Sequence, residues 1–77
     1  MTYAQEQRIR DRYRLYTQLA RLTAGRAARA LARYHGGKLS AEAWIGSELR
    51  ANSAKLGLWS AEAEMARALL ARIQGEK

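Results

Sequence analysis

The sequence predicts an all-α fold, a small bundle of three principal helices in a single domain that covers residues 1–77. Proline is absent, and alanine, arginine, leucine and glutamate dominate the chain, so nearly every stretch favours helix. Apolar residues recur at helical spacing along most of the chain. No segment is predicted to form a strand.

The first predicted helix is long and covers residues 3–34. Thr2 and, three residues later, Gln5 match a capping box at its start, and the paired glycines Gly36 and Gly37 supply a stop after its end. Between these signals one side of the helix carries residues at alternating spacings of 4 and 3: Ile9, Tyr13, Tyr16, Ala20, Thr23, Ala27, Ala30 and Tyr34.

A helix of this length is difficult to fit into a compact domain. At 1.5 Å per residue it would extend for about 48 Å, whereas a compact chain of this size has a radius of gyration of about 11–12 Å. Either the helix breaks near Gly25, or it protrudes and pairs with another copy of the chain. The unbroken spacing through Gly25 favours a continuous helix, because one interior glycine costs only about 1 kcal/mol.

Two shorter helices are predicted after it, near residues 41–56 and 61–74. Ser40 and Ser60 each precede the residues Ala-Glu-Ala, which places a serine cap before a glutamate in the first turn. Gly57 and Gly75 are the expected terminators. The faces expected to point inward are Ile45, Leu49, Asn52 and Leu56 in the second helix, and Met65, Ala66, Leu69, Leu70 and Ile73 in the third.

Size and composition predict a homodimer or a higher oligomer. A domain of 77 residues buries only about 60% of the surface that its unfolded chain exposes, and without cysteine it has no disulfide to stabilise it. No apolar run reaches the roughly 18 residues of a membrane span, and the first residues lack the apolar segment of a signal peptide. The expected location is therefore the cytoplasm.

Catalysis is not expected, and neither a cofactor nor a metal is predicted. The single histidine, His35, lies beside the Gly36-Gly37 helix end, where a capping role is ordinary. Zinc sites draw on cysteine and clustered histidine, which this sequence does not offer. Glu62 and Glu64 are two residues apart on a helix and point to different sides, so they do not form an acid/base pair.

The net charge of +7 lies entirely in the first half of the chain. Residues 1–38 hold nine basic residues, eight of them arginine, against only Glu6 and Asp11. Residues 39–77 hold five basic and five acidic residues. Arginine presents a planar fork that suits phosphate and carboxylate groups. The first helix is therefore the expected binding element.

Eight arginines of that helix are the candidate contacts: Arg8, Arg10, Arg12, Arg14, Arg21, Arg26, Arg29 and Arg33. Helical geometry places Arg10, Arg14 and Arg21 on one side, Arg8 and Arg12 on another, and the last three on a further face. Tyr13 and Tyr16 lie among them and either stack on bases or fill the core or a dimer seam. Trp44 and Trp59 are expected in the core, since an exposed tryptophan would instead mark a protein-binding surface.

Two functions follow from this basic ridge. The first is binding of nucleic acid, DNA or RNA, through its phosphates and without sequence preference, because no sequence-reading motif is present. The second is docking on an acidic protein surface as an adaptor or inhibitor; in size alone the chain resembles the small accessory proteins of phages and mobile elements. A membrane-surface role ranks last, because the first helix has no Phe or Trp to anchor it.

Overall fold

The computed structural model describes residues 2–75 and is a hairpin of two long antiparallel helices. Helix α1 runs Tyr3–His35 and helix α2 runs Ala41–Gly75, with a short turn between them. The molecule is a rod that measures 60 × 17 × 14 Å, and its helices pack against each other along their length. Within residues 2–75, neither helix is both long enough and apolar enough to cross a membrane.

Helix α1 begins and ends where its local signals predict. The Gln5 backbone N–H donates to Thr2 Oγ1 at 3.2 Å, and the Thr2 N–H donates to Gln5 Oε1 at 2.9 Å, which completes the capping box. At the other end the Gly36 N–H donates to the Ala32 carbonyl, and Gly37 has a φ of 74°, a conformation that favours glycine. The helix is continuous through Gly25, as its spacing favoured.

The prediction of three helices is wrong, because residues 41–75 form one helix. The Ser40 hydroxyl caps its start and accepts from the Ala43 N–H at 3.2 Å, as predicted. Ser60 and Gly57 do not interrupt it. An interior glycine costs about 1 kcal/mol, which continued packing against α1 and unbroken backbone hydrogen bonds offset. Gly57 also has a packing role, since it provides the space for the Tyr16 ring of α1.

The length of α1 is accommodated by α2 and not by a break. With 33 and 35 residues, the two helices have nearly equal lengths of about 50 Å. The radius of gyration is 17.3 Å, well above the roughly 11–12 Å of a compact chain of this size. The expectation that the first helix either breaks or protrudes rested on the assumption of a compact domain. That assumption is wrong.

The interface between the helices is made mainly of small side chains. The fully buried positions are Thr23, Ala27, Ala30, Ala51, Ala54 and Ala61. The Thr23 hydroxyl donates to the Leu19 carbonyl at 2.8 Å, so its polar group is satisfied within α1. Alanine lets two helix axes approach closely, and the helix backbones then contribute much of the packing.

The faces predicted to point inward are mostly exposed. The exposed positions among them are Ile45, Leu49, Asn52, Leu56, Ala66, Leu69, Leu70 and Ile73. Only Met65 of the predicted set is half-buried. The prediction that both tryptophans lie in the core is wrong for Trp59, which is 59% exposed, whereas Trp44 is half-buried. The bulkiest apolar row of α2 therefore does not face α1.

Enlarging a buried alanine is expected to separate the helices. We expect Ala27→Leu to lower the free energy of unfolding by about 1–3 kcal/mol, because extra methylene groups in a close-packed site force backbone shifts. Ala28→Leu is the matched control: Ala28 is exposed, so the change should stay within about 0.5 kcal/mol. Urea denaturation followed by circular dichroism measures both, and equal effects would contradict the alanine interface.

Candidate nucleic-acid interface

The arginines near the N-terminus are partly engaged with carboxylates of α2. Arg12 Nη1 lies 3.3 Å from Glu64 Oε2, and its guanidinium lies 5.8 Å from the centre of the Tyr16 ring. Arg8 borders the same depression as Arg12 and Glu64. Both partners of the ion pair are solvent-accessible, so the pair adds at most about 1 kcal/mol to stability. Its main consequence is that Arg12 is partly neutralised as a contact for a ligand.

A second ion pair lies at the open end of the hairpin, where Arg72 of α2 meets Glu6 of α1. The pKa of the Glu6 carboxyl lies below its ordinary value, first because Arg72 donates a hydrogen bond to it and also because the positive charge of Arg10 is nearby. Arg10 borders the same depression. At this end of the hairpin, basic residues are thus matched by nearby acidic ones.

The tyrosines that were candidates for base stacking lie toward α2. Both Tyr13 and Tyr16 are half-buried. The Tyr16 ring is so close to Gly57 that a Cβ built there would lie 2.3 Å from one ring carbon. Tyr13 borders a groove together with Arg14 and with Met65 of α2. Both rings therefore pack toward α2, and base stacking by these tyrosines stays a prediction.

The strongest concentration of unpaired positive charge lies near the turn. Arg26, Arg29 and Arg33 of α1 and Arg50 of α2 line one shallow groove, which we call the arginine groove. Among residues 2–75, none of these four arginines forms a salt bridge. Glu42 is the one acidic side chain among the described residues that line it. The groove therefore carries excess positive charge on two helices.

The three arginines of α1 in this groove follow helical spacing. Arg26 and Arg33 are seven residues apart, which is two turns or about 10.5 Å along the axis, with Arg29 between them. Arg50 faces them from the antiparallel helix. Arg21 lies nearer the N-terminus of α1 and borders a neighbouring groove that also includes Arg29. Positive charge thus continues from the arginine groove along the outside of α1.

Two of these arginines fold back over a glycine one turn earlier. A Cβ built on Gly46 would lie 3.9 Å from Arg50 Nη2, and one built on Gly25 would lie 3.6 Å from Arg29 Nη1. Helical side chains point toward the N-terminus, which brings each arginine over the residue four positions before it. Both distances are ordinary van der Waals contacts, so each guanidinium lies over the helix surface with room for a methyl group at the glycine.

The sequence analysis missed Arg50, because it lies in the half of the chain whose charges cancel. Its place in the same groove as Arg29 comes from the packing of the two helices, which no local spacing indicates. The structure thus brings together three of the eight predicted arginines and adds a ninth.

An aromatic cluster fixes the end of the hairpin beside the arginine groove. The rings of Tyr34 and Trp44 are stacked, with centroids 5.1 Å apart and planes at 6°. His35 is the last residue of α1, at the helix end where the sequence predicts it. The centroids of the His35 and Tyr34 rings are 5.8 Å apart. The Trp44 indole nitrogen is buried, and within the described residues no acceptor reaches it. Stacking holds the two helix ends together beside the arginine groove.

Over residues 2–75, no group of three or more His, Asp or Glu side chains is arranged to hold a metal ion. The pKa of Glu6 is lowered, and its ion pair with Arg72 explains the direction.

Known proteins do not indicate a function. No family model matches the chain, and neither curated proteins nor solved structures gave a significant match.

Proposed function

We propose that this chain is a non-catalytic protein that binds nucleic acid through the phosphate backbone, in the arginine groove. The observation that carries the proposal is the convergence of Arg26, Arg29, Arg33 and Arg50 from two helices without an ionic partner among the described residues. Arginine forms paired hydrogen bonds with phosphate oxygens, so four such side chains make a site for a polyanion.

The dimensions of the groove suit successive phosphates of one strand. In duplex DNA, phosphates of one strand advance by about 3.4 Å along the axis, so the roughly 10.5 Å between Arg26 and Arg33 spans about three of them. Arg50 adds a contact from the opposite side. Backbone contacts fix position without reading bases, and we therefore propose binding without sequence preference.

The competing function is docking on an acidic protein surface, as an adaptor or inhibitor of a larger assembly. It would use the same arginines, since carboxylates and phosphates are both acceptors for the arginine fork. Nucleic acid is favoured because the groove is a linear array of cations and because a polyanion repeats its charge at regular intervals.

Direct titration of DNA and RNA against the purified chain tests the proposal. At about 150 mM salt we expect dissociation constants between about 1 and 100 μM, the range of non-specific association, with little difference between sequences. For duplex DNA, four neutralised phosphates predict a slope of about −3 to −4 in log K against log salt. Binding weaker than about 100 μM to both DNA and RNA would reject nucleic acid and favour the acidic protein surface.

A further inference from the structure

The outer side of α2 carries a second row of residues at regular helical spacing. Its spacings alternate between 4 and 3 without exception, and we call it the outer row: Ile45, Leu49, Asn52, Leu56, Trp59, Ala63, Ala66, Leu70 and Ile73. Its six large apolar side chains are all exposed in the hairpin. This spacing is typical of a helix that packs against another helix through a coiled-coil seam.

The outer row is distinct from the row that packs on α1. The inner row has alternating spacings of 3 and 4 as well, and its residues are buried or half-buried: Trp44, Ser47, Ala51, Ala54, Leu58, Ala61, Met65 and Ala68. In heptad notation the outer row occupies positions a and d, and the inner row occupies c and f on the opposite side. Helix α2 is therefore built to contact two helices, and α1 is only one of them.

The exposed surface is larger than a chain of this mass normally has. The accessible surface is 5976 Å², whereas a folded monomer of 8.7 kDa exposes about 4,700 Å². The excess of about 1,200 Å² is larger than the roughly 800 Å² that each partner buries in a standard interface. A standard interface against the outer row would cover about two thirds of this excess.

We propose that the outer row pairs with the outer row of a second copy of this chain, with the two α2 helices antiparallel and crossing between Leu56 and Trp59. In an antiparallel pair each a position faces a d position of the partner. Leu56 then opposes the partner's Trp59, and Ile45 opposes the partner's Leu70. The two-fold axis repeats each of these contacts, as a symmetric interface between two copies requires.

Charges beside the outer row match in this arrangement. The heptad positions that flank one side of the row hold Glu48, Lys55, Glu62 and Leu69. The antiparallel register that crosses between Leu56 and Trp59 places Lys55 opposite the partner's Glu62, and symmetry repeats the contact. No like charges face each other at these positions. Opposite charges at flanking positions determine partner choice and orientation in helix pairs.

The net charge of each half of the hairpin also favours the antiparallel orientation. The loop half, residues 19–58, holds seven basic and two acidic residues. The open half, residues 2–18 and 59–75, holds six basic and four acidic residues. A parallel pair would place the two strongly positive loop halves side by side, whereas the antiparallel pair places each beside an open half. Repulsion is therefore lower in the antiparallel dimer.

Sedimentation equilibrium on the full chain tests the pairing. At about 50 μM, above the micromolar dissociation constants of weak interfaces of this size, we expect twice the mass of 8.7 kDa. Leu56→Glu should raise the dimer dissociation constant at least about 100-fold, because symmetry places two unpaired carboxylates in an apolar interface. Leu56 is 62% exposed in the hairpin, so circular dichroism should show unchanged helicity. Leu49→Glu, in the same row, provides a second variant.

Leu15→Glu is the matched control. Leu15 is 60% exposed but lies on α1, outside the outer row, so this variant should remain a dimer with unchanged affinity. A wild-type chain that sediments as a monomer at about 50 μM would overturn the proposal. A dimer that Leu15→Glu disrupts and Leu56→Glu leaves intact would overturn it as well.

Disulfide trapping tests the orientation, and the absence of native cysteine makes the result direct. A mixture of Ile45→Cys and Leu70→Cys chains should form a mixed disulfide on mild oxidation, because the antiparallel pair brings these positions together. Neither variant should crosslink efficiently with itself. Efficient crosslinking of Ile45→Cys with itself would show a parallel pair and reject the antiparallel arrangement.

Discussion

Replacement of all four arginines of the arginine groove by glutamine is expected to weaken binding to duplex DNA by roughly 100-fold at low salt. Four exposed ionic contacts of a few tenths to 1 kcal/mol each add up to about 3 kcal/mol, which corresponds to that factor. The slope of log K against log salt should become shallower by about 3 to 4, because about one counterion fewer is released per lost contact. Fluorescence anisotropy at several salt concentrations measures both quantities.

The matched control removes the same charge from the open half. Glutamine at Arg8, Arg10, Arg14 and Arg67 also lowers the net charge by four but leaves the arginine groove intact. If the groove holds the phosphates, this variant should lose only a few-fold in affinity and keep most of its slope. Equal losses in the two variants would show that binding follows overall charge and not the groove.

Local signals were sufficient to predict α1. Its capping box and its glycine stop are formed by residues within one turn of each end, so they do not depend on the rest of the chain. The same holds for the Ser40 cap of α2. These signals depend on backbone hydrogen bonds that neighbouring residues satisfy, and sequence analysis can identify them without knowledge of the tertiary structure.

The continuity of α2 depends on contacts far away in sequence. Ser60 followed by Ala-Glu-Ala is a valid start signal, and Gly57 is a valid stop, but each contributes only about 1 kcal/mol. The α1 helix lies along the whole segment and stabilises it as one helix. Tyr16, 41 positions before Gly57, occupies the space that the glycine leaves. The sequence alone therefore predicts that Gly57 ends a helix, whereas in the structure this glycine makes room for a side chain of α1.

The inward face of α2 was misassigned because the chain has two rows with helical spacing. The bulkier outer row was expected to be buried, because the hydrophobic effect favours burial of the larger apolar side chains. The structure places the inner row, which is rich in alanine, against α1. Close approach of the two helix backbones there supplies the packing contacts that larger side chains would otherwise make. Proximity between Arg50 and the arginines of α1 likewise depends on the hairpin, since the two helices meet only through their tertiary packing.

Gly57→Ala is expected to destabilise the hairpin by about 1–3 kcal/mol, although alanine favours helix by about 1 kcal/mol over glycine. The new methyl group would lie 2.3 Å and 2.5 Å from two carbons of the Tyr16 ring, far inside van der Waals contact. The ring is half-buried and cannot move aside without loss of packing against α2. Thermal or urea denaturation at a fixed protein concentration measures the change.

Gly46→Ala is the control with the opposite expected sign. Gly46 is also interior to α2, but its built Cβ meets nothing closer than Arg50 Nη2 at 3.9 Å, so the substitution should stabilise the chain by up to about 1 kcal/mol. Tyr16→Ala combined with Gly57→Ala should cost less than the sum of the single changes, because the clash disappears with the ring. A stabilising Gly57→Ala, or strict additivity of the pair, would show that the Tyr16 ring does not pack into the space over Gly57.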